Sequence, residues 1–182
     1  RVLAELDTLG LRDNTLVIFA SDNGAARQAP LATLRCVGSL RGMKAQLYEG
    51  GLRVPFIVNM PGSVAPQTID SRIWFPDVLP TLARIACAEE YLPVETDGVD
   101  ISPLFYGDTK PMDTDSRLMY WEFPGKQRAA ICGEWKAVSV KRGAPLELYQ
   151  IANDPNETCN LATLYPEKVA RMDSLMQCAH TP

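Results

Sequence analysis

The sequence predicts an α/β chain. A mixed sheet layered with helices is expected over residues 1–110, then a small antiparallel sheet with a C-terminal helix over residues 111–182. Three observations predict this. Leu16–Ala20 is apolar throughout with no alternation, which suits a strand buried on both faces, as in a parallel sheet. Leu118–Phe123, Ala129–Cys132, Trp135–Val140 and Leu146–Ile151 are short apolar runs at close spacing with turns between them, the pattern of an antiparallel sheet. Pro166 then opens a helix whose Val169, Met172, Leu175 and Met176 fall on one stripe.

The elements follow in order. Val2–Leu9 reads as the end of an amphipathic helix, with Val2, Leu6 and Leu9 on one stripe. Gly10 stands where a helix C-terminus takes a left-handed residue, and Leu11 can fold back on Leu6. Arg12–Asn14 turns the chain into the strand ending at Ala20, and Ala25–Leu40 reads as loop. Val54–Met60 is a second strand that tolerates Pro55 near its start. Asp77 is placed to cap a helix running to about Cys87, with Val78, Leu82, Ile85 and Ala86 inward and Pro80 in its first turn. Tyr106–Ser116, rich in Gly, Pro, Asp and Thr, is the expected boundary.

Composition narrows the function classes. The net charge is −4, and no basic stripe favours nucleic acid. No window of about 18 apolar residues offers a membrane span. The first residues carry acids where a signal peptide needs an apolar core and read as mid-helix, so the chain is expected to start part-way through a longer protein. The five cysteines form no CxxC pair and are expected to be buried small hydrophobes rather than a disulfide framework.

The chemistry-bearing stretch is Ser21-Asp22-Asn23-Gly24, directly after the apolar run. Two oxygen-bearing side chains sit where a buried strand ends, the usual place for ligands in open α/β sheets. Asn-Gly is also a hairpin signal, but Ala25–Ala32, polar at Arg27-Gln28 and broken at Pro30, does not read as a returning strand. Arg41–Pro55 adds Lys44 and the pair Gly50-Gly51. Asp22 and Asn23 are read as ligands of a divalent metal, with Lys44 holding an anion beside it. A hard cation prefers oxygen ligands such as these, and lysine offers a compact positive charge with three donors.

These residues resemble the type I, formylglycine-dependent sulfatases, relatives of alkaline phosphatase in fold. The likeness is to the C-terminal portion of enzymes of the arylsulfatase and N-acetylgalactosamine-6-sulfatase kind. It rests on Ser21–Gly24, Leu40–Lys44 and Leu47–Pro55 in that order. Trp74–Ala86, Asp97–Gly107, Gly133–Lys136 and Leu148–Leu161 extend it over nearly the whole chain. The resemblance implies an alkaline-phosphatase-like sheet and hydrolysis of sulfate esters on sugars or aryl groups. It implies calcium held in part by Asp22 and Asn23, sulfate bound by Lys44, and Glu49 and Arg53 holding the loop. The family further suggests a periplasmic, secreted or lysosomal setting.

The departures matter as much. The family's nucleophile is a formylglycine made within a Cys-x-Pro-x-Arg or Ser-x-Pro-x-Arg motif, and this chain has neither. Cys36–Arg41 is the nearest string, with Gly for Pro and one residue too many before Arg. The only histidine, His180, lies in the tail and is expected to be solvated. The calcium site is therefore expected to be incomplete here and the chain alone inactive. The formylglycine would lie in an N-terminal part, and surface exposed by truncation would invite self-association. Two other readings stay open: a non-catalytic, carbohydrate-binding remnant, and a phosphatase or phosphodiesterase of the same superfamily.

Overall fold

The computed structural model describes residues 1–26, 36–107, 117–123 and 127–180. In chain order its regular elements are α1 (Val2–Thr8), β1 (Val17–Ala20), α2 (Glu49–Leu52), β2 (Phe56–Asn59), α3 (Val78–Ile85) and α4 (Ser102–Phe105). They continue with β3 (Leu118–Phe123), β4 (Gln127–Cys132), β5 (Trp135–Ser139), β6 (Glu147–Gln150) and α5 (Pro166–Ala179). None of the described helices is long and apolar enough to cross a membrane. Two compact units form: Arg1–Phe19 with Phe56–Thr114, and Ala20–Pro55 with Asp115–Pro182. The grouping does not follow a single linear cut near residue 110. Ala20–Pro55 joins the later unit because Arg41, Tyr48 and Glu49 bond to residues of its sheet and turns. Most of the expected boundary segment lies outside the described residues.

In the first unit α1 ends as its sequence predicts. Gly10 takes φ +66, its N–H donates to the Asp7 carbonyl and the Leu11 N–H donates to the Leu6 carbonyl. Those two bonds are the Schellman arrangement, and a left-handed residue there costs glycine least. The apolar stripe of α1 is not buried, however: Val2 is 72% and Leu9 59% exposed. β1 pairs with β2 in a two-stranded sheet. Burial of β1 on both faces is not realised among the described residues, since Phe19 is 62% exposed. β2 does alternate: Phe56 and Val58 meet the core of Ile101, Leu104 and Phe105, while the intervening Ile57 is 57% exposed.

The helix expected after Asp77 forms, with a correction to its capping and its inward face. Asp77 is fully buried and closes a 3-10 turn over Phe75–Asp77. Its carboxylate accepts the N–H groups of Trp74 and Val99, each at 3.0 Å, rather than capping α3. Thr81 donates to the Asp77 carbonyl and accepts the Ile101 N–H, so Pro80 and Thr81 are the buried positions while Leu82 and Ala86 are exposed. Of the expected inward residues Ile85 packs on the core of Ile101, Leu104 and Phe105 and Val78 is half-buried, while the polar tie to residues 99–101 buries Pro80 and Thr81 in place of Leu82 and Ala86.

The second unit holds the antiparallel sheet β3-β4-β5-β6. Ala130 stands opposite Ala137, which stands opposite Leu148. The two small alanines let α5 settle on one face, where Met172 and Met176 are buried against them and Leu148, and Val169 and Leu175 pack at the edge. The stripe read from the sequence is thus the one that docks. Alternation puts Lys136 and Tyr149, themselves cross-strand partners, on the opposite face. Four of the five cysteines are exposed, Cys132 is half-buried and none forms a disulfide, so the expectation of buried cysteines is corrected. They sit in turns, at helix ends and at a strand end, not at core-facing positions. His180 is half-exposed and meets Glu122 at 2.8 Å.

Candidate functional site

The three residues read as functional belong to two turns of the second unit. Ser21 donates to the Asn23 carbonyl at 2.9 Å, folding Ser21–Gly24 into a tight turn with Asp22 exposed and Asn23 half-buried. The Gly24 N–H donates to the Gly51 carbonyl at 3.0 Å, and the Lys44 N–H donates to the Ala25 carbonyl at 2.9 Å. These two bonds lace the Asp-Asn turn to the Lys44 segment. The approach is close enough to require glycine: a Cβ on Gly24 would lie 1.8 Å from the Gly50 carbonyl oxygen. One on Gly51 would lie 2.0 Å from the Gln46 carbonyl oxygen. Lys44 keeps an exposed ammonium, placing a compact cation where an anion can reach it.

The loop is braced by polar groups that run from the part-exposed Arg41 to the fully buried Lys136. Arg41 lies over the Tyr48 ring at 3.9 Å and donates to the Tyr149 hydroxyl at 2.7 Å and the Glu157 carbonyl at 3.1 Å. Tyr48 and Tyr149 both donate to the same oxygen of Glu147 at 2.7 Å. Burial first, then that bond to Glu147, pushes both phenols well above their ordinary range. They are donors at any physiological pH. Lys136, fully buried, meets Glu49 and Glu157 at 2.8 Å each, and the Glu49 N–H donates to Glu157 at 2.7 Å. Burial pushes the Glu157 carboxyl up, opposed by Lys136.

Asp22 and Asn23 offer a carboxylate and an amide oxygen, the donor type that calcium prefers. Among the described residues no group of three or more His, Cys, Asp or Glu could enclose a metal ion. The pair therefore fits a contribution to an oxygen-ligand site, not a closed one.

Comparison with known proteins bears on this geometry. The sulfatase family model matches residues 1–88. Human arylsulfatase A is 33% identical, over 88% of this chain and 36% of that enzyme. Steryl-sulfatase of Rattus norvegicus is 45% identical over 66% of this chain and 22% of its own length. A solved structure from Bacteroides thetaiotaomicron, described with the metabolism of multiple glycosaminoglycans, superposes with a TM-score of 0.76 at 27% identity. It covers 97% of this chain and 41% of that one. The chain belongs to the sulfatase family. The likeness is to the family's C-terminal portion, and this sulfatase chain spans 36% or less of the two named relatives' lengths. The α/β class expected from the sequence holds, with mixed sheets and a C-terminal helix.

The structure thus brings the backbones of the Asp22–Asn23 turn and of Lys44 together. Of the two residues implied to hold the loop, Glu49 is buried in the Lys136 cluster, while Arg53 is exposed and its N–H donates to the Glu49 carbonyl at 2.7 Å. Sequence reasoning missed Arg41, Lys136, Glu147 and Glu157. The one available signal was a lysine in the apolar run Trp135–Val140, whose neighbours demand a buried partner for it.

Proposed function

We propose that this chain supplies the sulfate-binding lysine and part of the calcium site of a sulfuric ester hydrolase acting on sulfated carbohydrates or aryl sulfates. The observation that carries the reading is the lacing of two turns: Gly24 onto Gly51, and Lys44 onto Ala25. It brings the Lys44 backbone beside the Asp-Asn turn, which supports reading the three side chains as parts of one site. As the S–O bond breaks, negative charge grows on the leaving oxygen and persists on the sulfuryl oxygens. Lys44 would neutralise part of that charge through its ammonium donors, and such fixed donors act most strongly where water is excluded. Asp22 and Asn23 would hold calcium, which when bound polarises the sulfuryl oxygens. Aryl, steryl and glycosaminoglycan relatives support the substrate kind.

The nucleophile would come from outside these 182 residues as a formylglycine, because the chain carries no Cys-x-Pro-x-Arg or Ser-x-Pro-x-Arg motif. The second reading is a non-catalytic carbohydrate-binding remnant. An aryl sulfate assay separates them. The 182-residue chain with calcium is expected to give no turnover. A longer polypeptide carrying the nucleophile motif is expected to turn over and to lose about a hundredfold or more of kcat on Lys44→Ala. Turnover by the short chain, or an unaffected Lys44→Ala enzyme, would overturn the assignment.

A further inference from the structure

We infer that Lys136 is a positioning residue for the Lys44 and Asp22–Asn23 segment, acting through Glu49 and Glu157 from the face of the sheet opposite α5. The inference rests on the functional reading above for its consequence, but not for its geometry. Lys136, the second residue of β5, has no solvent exposure, and both carboxylates approach its ammonium to 2.8 Å. A buried cation without partners is costly, and burying an ion pair is seldom the cheapest way to stabilise a sheet. The sheet does not need it for cohesion. β5 is held by ladders to both β4 and β6, and its other face is closed by Ala137 against the α5 methionines.

What the cluster does hold is the turn. Glu49 opens α2, and Glu157 grips it twice over, sharing the Lys136 ammonium and accepting the Glu49 N–H at 2.7 Å. Glu157 itself sits at φ +55, a conformation that a non-glycine residue keeps only when its surroundings impose it. Two residues beyond Glu49, the Gly51 carbonyl receives the Gly24 N–H beside Asn23. The path from Lys136 to the Asp-Asn turn is therefore Glu49, the Gly50-Gly51 backbone and Gly24. At the segment's other end Arg41 is anchored separately on Tyr149 and on the Glu157 carbonyl. Glu157 thus touches both ends of the stretch that carries Lys44.

Backbone amide exchange tests this without any activity. In Lys136→Met, the amides of Gly24, Lys44, Gly50 and Gly51 are expected to exchange about tenfold faster, while those of β4 and β5 stay within about twofold. Lys136→Arg, which keeps the charge, is expected to recover part of the protection. Unchanged exchange at the four turn amides overturns the inference. So does equal acceleration in β4 and β5, which would make Lys136 a support of the sheet. If Lys136→Met fails to fold, the uncharged set Lys136→Met, Glu49→Gln, Glu157→Gln is measured in its place, with the same outcomes. Loss of sheet protection in both also overturns the inference. In a turnover-competent longer polypeptide, Lys136→Met is expected to lower kcat about tenfold with Lys44 intact. Should Lys44→Ala leave turnover unchanged, the functional reading fails while the exchange result still decides the role of Lys136.

Discussion

Gly24→Ala is the sharpest single perturbation of the candidate site. The added Cβ would fall 1.8 Å from the Gly50 carbonyl oxygen, 2.8 Å from the Gly50 carbonyl carbon and 2.8 Å from the Gly51 Cα. All three atoms are backbone, so no side chain can swing away and the two turns must part. Overpacking of a closed contact costs about 1–3 kcal/mol. Parting them also breaks the bond from the Gly24 N–H to the Gly51 carbonyl, about 0.5–1.5 kcal/mol net. The sum is about 1.5–4.5 kcal/mol, confined to whatever opens when the turns separate. Gly10→Ala is the control. Gly10, unlike Gly24, has a left-handed φ, +66, and its added Cβ meets nothing within 4 Å, so only backbone strain of about 1 kcal/mol is expected. Urea unfolding of both variants, with amide exchange across residues 20–26 and 41–53, makes the comparison. The expected result is a larger loss for Gly24→Ala, with accelerated exchange at Lys44 and Gly51. Equal losses and unchanged exchange would refute the claim that the Asp-Asn turn depends on that approach.

Two further outcomes follow from the second unit and the first. Asp154 accepts the N–H groups of Thr158 (2.8 Å to one oxygen) and Cys159 (2.9 Å). Burial works against its charge, but those donors prevail and hold its carboxyl below the ordinary value. Its stabilisation is therefore present above the unfolded value of about 3.9 and lost as pH falls through the lowered one. Asp154→Asn should cost about 1 kcal/mol at neutral pH in thermal unfolding and flatten the acid limb of the stability profile. Phe19 and Ile57, 62% and 57% exposed on paired strands, are expected to make the isolated chain self-associate. Sedimentation velocity should show a shift toward monomer on Phe19→Ser with Ile57→Ser, and a chain that is monomeric without them contradicts this.

The elements that could be read in advance are those whose determinants lie within a few residues of one another. Gly10 and Leu11 close α1 through bonds spanning three to five residues, so the glycine alone announces the turn. The α5 stripe repeats at helical spacing, and its two buried members, Met172 and Met176, are the pair four apart on its inner face. The four short strands are local runs between turns, and β3 begins and ends where its apolar run does. Failures came where a distant partner decides. Asp77 looks like a helix cap because aspartate at a helix start usually is one. Its second carboxylate bond, to Val99, lies 22 residues on and turns α3 away from the stripe Leu82 and Ala86 implied.

The site divides the same way. Asp22, Asn23 and Lys44 are chemically expressive residues in glycine-marked turns, and glycine marks them because backbone must approach backbone. The bracing layer carries no such mark. Glu147, Tyr149 and Glu157 lie about a hundred residues from the loop residues they hold, as the 99-residue separation of Tyr48 from Glu147 shows. A tyrosine or glutamate at alternate strand positions reads as an ordinary solvent-facing residue until something covers that face. Here Leu47–Gly50 covers it, and burial turns each such side chain into an obligatory partner. Lys136 is the exception that could have been found. A lysine flanked by Trp135, Ala137 and Val138 cannot reach water from the middle of a sheet with both faces closed. Its presence there demands carboxylates from elsewhere in the chain, and Glu49, beside the glycine pair, was already in view.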